Sequence, residues 1–143
     1  MRGSIEYGAY DLSAEDYKYI DEKYYAGFEG EEEYVFFTCD EKGIRRGYGI
    51  WDGYLGAVVD GIKPEEYGFI GLQLYYHVDM LNEELCPDDV YVFKDPVTVY
   101  RQLATVDKTK LRFLPKSGEV LDVLKKLFRD AAETGKPVCV YYF

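Results

Sequence analysis

The sequence predicts a single α+β domain over residues 1–143, with an antiparallel sheet packed against an N-terminal and a C-terminal helix. Two capped amphipathic stretches, opening at Ser13 and Ser117, flank a middle that is rich in β-forming residues and turns. The length fits one domain, and no Pro- or Ser-rich linker divides the chain. A hydrophobic fraction of 48% favours a folded protein over a disordered acidic one.

The first predicted helix covers residues 13–25 and ends near Gly27. Ser13 is a typical N-cap residue, and Asp16 three positions later completes an acidic variant of the capping box. Apolar side chains recur at helical spacing and predict a buried stripe, whereas Glu22 is expected to point outward. The stripe consists of Tyr17, Ile20 and Tyr24.

A β-hairpin is predicted next, followed by a third strand. Residues 33–40 are rich in β-forming side chains, a turn follows at 40–43, and residues 44–51 alternate in part. Asp52-Gly53 is a second turn signal, so residues 54–59 are expected to form the following strand.

Residues 69–78 are the longest strand candidate. Residues 79–86 predict a short helical turn, residues 90–93 a short strand, and residues 97–105 fit either a helix or a strand. Alternation along the long candidate puts Leu72, Leu74 and Tyr76 on one face and Gln73, Tyr75 and His77 on the other.

The last helix has the strongest pattern in the chain. It is predicted to begin at Ser117 as its cap and to end at Gly135, with acidic residues early and basic residues late. Residues 138–143 then form an apolar strand that is expected in the middle of the sheet. The apolar stripe of the helix consists of Val120, Leu121, Leu124, Leu127, Phe128 and Ala131.

Charge is distributed unevenly along the chain. Residues 1–95 contain 22 Asp and Glu against 8 Lys and Arg, whereas residues 96–143 contain 5 against 9. The acidic part also holds 13 of the 16 tyrosines. Carboxylates steer cationic partners, and tyrosine offers large contact area at low entropic cost, so this pattern predicts a surface that binds a basic protein. Duplex nucleic acid and anionic membranes are unlikely partners because clustered Lys and Arg are few.

The expected compartment is the cytoplasm. No apolar run approaches 18 residues, and residues 1–6 lack the apolar core of a signal peptide. Cys39, Cys86 and Cys139 are widely spaced and odd in number, which predicts reduced thiols rather than a disulfide framework.

Catalysis is not expected. His77 is the only histidine, and the strand interpretation places Tyr75, His77 and Asp79 on one face, but no nucleophile accompanies them. The chain has no local Cys or His pairs, so neither a metal nor another cofactor is predicted. The glycines between Gly47 and Gly53 fit turns and bulges better than a phosphate loop, because the spacing differs and no helix is predicted to follow.

The candidate site is an acidic surface interleaved with aromatic residues. Its carboxylates are expected to attract the partner, while Trp51 and Tyr54 are expected to anchor it. The predicted partner-binding residues are Glu31, Glu32, Glu33, Asp40, Glu41, Trp51, Asp52 and Tyr54.

Residues 29–34, Asp40-Glu41 and residues 50–54 carry a resemblance of general character. A small, acidic, aromatic-rich protein of this kind resembles the immunity proteins of bacterial toxin systems. The resemblance implies that the chain covers a cationic toxin domain, such as a nuclease, with carboxylates and aromatic side chains.

Three alternatives remain open at this stage. A phage inhibitor that mimics nucleic acid would have similar charge. A small-molecule binding domain would line a cavity with Trp51 and the tyrosines. An enzyme would use His77 and Asp79. A broad exposed acidic face without a deep apolar cavity favours the immunity protein, and the reverse favours the ligand-binding domain.

Overall fold

The computed structural model describes residues 19–40, 43–63, 70–77 and 91–142. These residues form a five-stranded mixed sheet flanked by four α-helices, which confirms the α+β class. The strands are β1 (Ile20–Tyr24), β2 (Glu33–Asp40), β3 (Gly43–Trp51), β4 (Tyr91–Phe93) and β5 (Val138–Tyr142). The helices are α1 (Asp52–Asp60), α2 (Gly71–His77), α3 (Pro96–Ala104) and α4 (Lys116–Thr134).

The strand order in the sheet is β1-β3-β2-β5-β4. The predicted hairpin is confirmed: Phe36 of β2 lies opposite Tyr48 of β3 on one side and Val140 of β5 on the other. β5 lies between two strands, as expected for the apolar segment at 138–143. The prediction of an antiparallel sheet is wrong for one pair, because β1 runs parallel to β3. The connection at 25–32 passes over the end of β3 to reach β2, so β1 is antiparallel to β2. Because β2 is also antiparallel to β3, β1 and β3 run parallel.

The main core lies between one face of the sheet and the helices. Phe36 contacts Phe128 of α4 with ring centroids 6.3 Å apart, and Phe93 of β4 meets the same ring at 5.5 Å. Tyr34 of β2 and Leu55 of α1 belong to the same buried cluster. The acidic and the basic parts of the sequence therefore contribute to a shared core.

The other face of the sheet is also buried. Val35 and Phe37 of β2 and Cys139 of β5 alternate with the core-facing residues of their strands, and all three are buried. Cys139 thus occupies an apolar strand position. The redox state of the cysteines stays a prediction, since Cys86 and the side chain of Cys39 lie outside the described residues.

The predicted first helix is wrong over its last turn. Residues 13–18 lie outside the described residues, and Ile20–Tyr24 form β1. Ile20 and Tyr24 are both buried, and β1 carries a register shift between Asp21 and Tyr24. A spacing of four places two side chains on one face of a regular strand as well as of a helix, so the apolar pattern did not distinguish the two structures.

The strand predicted at 54–59 is part of helix α1. The stretch Leu55, Gly56, Ala57, Val58 and Val59 is buried throughout, so it has no polar face to reveal its period. Asp52 lies in the first helical turn, where the positive end of the helix dipole favours a carboxylate. The Asp52-Gly53 signal therefore marks the start of a helix rather than a hairpin turn.

The longest strand candidate is also wrong, because Gly71–His77 form α2. The alternation inferred over residues 72–77 accordingly does not define two sheet faces. Buried Gln102 of α3 organises the start of this helix: its Oε1 accepts from Leu72 N at 2.9 Å, and its Nε2 donates to Ile70 O at 2.8 Å. Gly71 adopts a positive φ of 54°. The helix thus depends on a tertiary contact that local sequence does not encode.

The later elements agree with their patterns except at one cap. The ambiguous segment 97–105 belongs to helix α3, whose N-cap Asp95 accepts from Thr98 N at 3.3 Å. Helix α4 ends at Gly135 in the left-handed conformation, as predicted. Its N-cap is Pro115 rather than Ser117, and Ser117 lies buried inside the first turn.

This difference between the two caps predicts opposite mutational outcomes. Asp95→Ala should lower the free energy of unfolding by about 1 kcal/mol, because it removes the acceptor for a helix N–H. Ser117→Ala should leave that free energy unchanged or raise it by roughly 0.5 kcal/mol, because the buried Ser117 Oγ has no hydrogen-bond partner among the described residues. Urea unfolding of both variants tests the pair. A loss for Ser117→Ala equal to that for Asp95→Ala would contradict the cap assignment.

Candidate partner-binding surface

Four aromatic rings contact one another at the end of the sheet where β3 passes into α1. Phe28, from the connection after β1, stacks on Trp51 with ring centroids 3.9 Å apart and planes 5° apart. Tyr54 of α1 meets Trp51 edge-on at 5.0 Å, and Phe113 meets it at 5.4 Å. Offset and edge-to-face contacts of this kind add to the stability that buried area provides.

Local sequence holds Trp51 in this position. Trp51 is the last residue of β3 and pairs with Glu33 of β2. The indole ring occupies the space that a Cβ on Gly53 would take, so a glycine there permits the close approach. Trp51 Nε1 donates to Glu31 Oε1 at 3.1 Å. The indole is therefore oriented both by stacking and by a carboxylate, while remaining half-buried.

Phe113 reaches the cluster from the segment that precedes α4. It is 48% exposed, and the following Leu114 is 51% exposed. Phe113 has a φ of 60°, in a region that is unfavourable for a bulky side chain. The Arg112 guanidinium lies 5.6 Å from the Phe113 ring centroid. Strained, exposed aromatic residues of this kind are concentrated at functional sites.

Carboxylates flank the four rings. Glu31 and Glu32 are exposed, and Asp52 accepts a hydrogen bond from Tyr76 Oη at 2.9 Å. Burial raises the pKa of the Tyr76 hydroxyl, and the bond to Asp52 and its charge raise it further, so Tyr76 remains a neutral donor. The acidic aromatic face is defined here by seven residues: Phe28, Glu31, Glu32, Trp51, Asp52, Tyr54 and Phe113.

The structure brings together five of the eight predicted partner-binding residues, Glu31, Glu32, Trp51, Asp52 and Tyr54. Glu33 is instead buried at 7% exposure. Asp40 ends β2 at the hairpin turn, seven residues beyond Glu33, or roughly 23 Å at about 3.3 Å per residue. Its side chain and Glu41 lie outside the described residues.

Glu33 forms a close pair with Glu22 of β1. The Oε2 atoms of both residues occupy the space beside Gly49 of β3 that a Cβ would fill. Both atoms are buried. Burial, reinforced by the adjacent Glu22 carboxyl and its charge, raises the pKa of the Glu33 carboxyl to about 8. The expectation that Glu22 points outward from a helix is therefore wrong, because residue 22 lies on strand β1 and its carboxyl lies over Gly49 of the neighbouring strand.

Sequence reasoning missed Phe28, Phe113 and Glu22. An exposed Phe-Leu pair just before Pro115 was an available signal for Phe113. Phe28 and Glu22 gave none, because their partners Trp51 and Glu33 become neighbours only through the order β1-β3-β2.

His77 lies at the end of α2 rather than on a strand. Its Nε2 is 4.0 Å from Asp60 Oδ1, and Asp60 also receives a hydrogen bond from Arg112 at 3.0 Å. Asp79, the expected carboxylate, lies outside the described residues. Within the described ranges, no group of three or more His, Cys, Asp or Glu side chains is arranged to hold a metal ion.

Three clefts among the described residues are lined by none of the seven residues of the acidic aromatic face. Their volumes are about 350, 420 and 280 Å³. The first is lined in part by Lys63, Asp107 and Lys110, and neither Trp51 nor Tyr54 lines any of the three. None of these three clefts is therefore the Trp51-lined cavity expected of a small-molecule binding domain.

Comparison with known proteins does not assign the chain to a family. No family model, curated protein or solved structure matches the chain. None of the four described helices combines the length and the apolar composition needed to span a bilayer. The functional conclusion is therefore drawn from the acidic aromatic face itself.

Proposed function

We propose that this protein is a non-catalytic inhibitor, an immunity protein whose acidic aromatic face covers a basic surface of a toxin domain. One observation carries the proposal: four mutually packed rings remain partly exposed beside carboxylates. Phe113 is nearly half exposed although its backbone is strained, and Trp51 is only half-buried. An apolar core has no need of such exposure, whereas an interface does.

The face has the composition of a protein interface. Interface centres are enriched in aromatic residues, and hot spots favour Trp and Tyr. The stacked pair of Phe28 and Trp51 is ordered before binding, so fewer rotamers remain to be fixed on association. Exposed Glu31 and Glu32 then supply the negative potential that orients a basic partner.

Co-expression gives the direct test of the function. The probe is a basic toxin domain encoded beside this chain in its source genome, expressed with and without the chain. Growth is expected to be restored by the wild-type chain and reduced when Trp51 is replaced by Ala. If the neighbouring gene encodes no toxic domain, or if the chain gives no protection, the immunity function is contradicted.

Charge reversal tests the role of the carboxylates. The double change Glu31→Lys and Glu32→Lys should slow association with the partner and flatten its dependence on salt, because exposed interfacial charges act mainly on the on-rate. Stopped-flow or biosensor kinetics at low and high salt measure this. Glu32→Lys alone keeps the Glu31 bond to the indole and should show the same direction of change.

Glu133→Lys is the matched control for charge. Glu133 is exposed in the last turn of α4, on an element that supplies none of the seven face residues. It makes the same charge change as Glu32→Lys alone and should leave association nearly unaltered. An equal on-rate for wild type and the double variant at low salt would show that Glu31 and Glu32 are only solvated charges.

A further inference from the structure

The connection at 25–32 supplies three residues of the acidic aromatic face and joins two strands that have β3 between them. It leaves β1 after Tyr24 and enters β2 at Glu33. Backbone hydrogen bonds shape it, including Ala26 N to Glu22 O at 2.9 Å and Glu31 N to Phe28 O at 2.9 Å. At the base, the carboxyls of Glu22 and Glu33 meet over Gly49 of the intervening strand β3. These two side chains therefore join the strands on either side of β3 directly beneath the connection.

Two ionised carboxyls in this position would repel each other. Neither buried Oε2 atom accepts a hydrogen bond from a described donor, so no described group offsets that repulsion by a hydrogen bond. A shared proton turns that repulsion into a hydrogen bond between the carboxyls.

We propose that Glu22 and Glu33 form a proton-operated clamp, in which one shared proton fastens the base of the 25–32 connection and loss of that proton releases Phe28 from Trp51. The protonated pair holds β1, β3 and β2 in register, and so holds Phe28 in its stack. The ionised pair separates by repulsion, and β1 gives way first because, among the described strands, it is paired on one side only.

Among the described neighbours, the Glu22–Glu33 pair is the group expected to produce the transition. Between the two carboxyls, β3 contributes Gly49, which carries no charge. From β5, Cys139 and Tyr141 alternate onto the same sheet face, so a thiol and a phenol are the competing titratable groups. The raised pKa of Glu33, about 8, places the transition just above neutrality.

Trp51 reports the transition without any partner, because it is the only tryptophan. Its fluorescence should change between pH 6 and pH 9.5, with a midpoint near 8, as the stacked Phe28 moves away. Glu33→Gln and Glu22→Gln each keep a neutral group that can donate to the remaining carboxylate. Both should abolish the transition, whereas the exposed and remote Glu133→Gln should retain it with the wild-type midpoint.

The outcomes separate clearly. The clamp is overturned if the wild type shows no transition. It is also overturned if both Gln variants keep the transition with unchanged midpoint and amplitude, which would indicate the thiol or the phenol instead. Unfolding of both Gln variants at pH 6, detected by far-UV circular dichroism, also overturns it, because each mimics the fastened state. The consequence for binding rests on the proposed function, but this titration uses the free protein, so either idea can fail alone.

Discussion

Trp51→Ala should raise the dissociation rate of the basic partner by roughly 30-fold or more, equivalent to about 2 kcal/mol. The indole stacks on Phe28, meets Tyr54 and Phe113 edge-on and donates to Glu31, so its loss removes the centre of the face. Biosensor dissociation kinetics measure the effect. Association should change less, because the flanking carboxylates remain.

Two variants make this result specific. Trp51→Phe keeps a ring for the stack but loses the indole donor, so its effect should be intermediate. Val97→Ala truncates a partly exposed apolar residue of α3, outside the face, and should leave dissociation unchanged. Thermal melts of each variant show whether the domain stays folded. A folded Trp51→Ala protein that dissociates at the wild-type rate would remove Trp51 from the interface.

The second large effect is a loss of stability as the pH rises from about 5 to about 8. The pKa of Glu33 is near 8 in the folded protein, raised mainly by burial, and near 4.5 in the unfolded chain. In this window the folded state therefore binds more protons than the unfolded chain. The stabilising contribution of protonated Glu33 is complete below pH 4.5 and lost by pH 8. At its steepest, the free energy of unfolding falls by about 1.4 kcal/mol per pH unit.

Carboxylates with lowered pKa values limit stability on the acid side. Hydrogen bonds from Thr98 to Asp95 lower the pKa of that carboxyl, and Lys126 does the same for Asp130. Their contribution is present above the ordinary pKa of about 4 and is lost as the pH falls below it, so maximum stability is expected near pH 5.

Urea unfolding at pH 5 and pH 8 measures the dependence. Glu33→Gln should flatten the slope and make the protein more stable than the wild type at pH 8, because an amide does not ionise. Glu133→Gln, exposed on α4, should keep the wild-type slope. A wild-type protein that is equally stable at both pH values would mean that Glu33 is not perturbed by its surroundings.

The sequence predicted best those elements whose pattern is local. The β2–β3 hairpin has β-forming residues on both sides of a turn, and α4 has a long apolar stripe that ends at Gly135. The failures at α1 and α2 have tertiary causes. Val58 lies in a run that is buried throughout, and Gln102 starts α2 from a different helix. A single-sequence pattern contains neither fact.

The candidate site divides in the same way. Five of the predicted residues lie at two strand ends that pair with each other: Glu31 and Glu32 precede β2, and Trp51, Asp52 and Tyr54 lie at or after the end of β3. The hairpin alone therefore brings them together. Phe28 and Phe113 join through the crossover of β1 and the start of α4, which depend on topology. Glu33 was assigned to the surface with its acidic neighbours, although strand alternation turns it toward Gly49.

The position of β5 constrains when the protein can assemble during synthesis. A nascent chain that has emerged only as far as α4 has β2 and β4 with no strand between them, because Val138–Tyr142 fill that place. The backbone groups of Phe36 and Val92 that pair with β5 then have no strand partner. Completion of the sheet must therefore wait until residue 142 has cleared the ribosomal tunnel, and until then the edge of β2 that pairs with β5 is open.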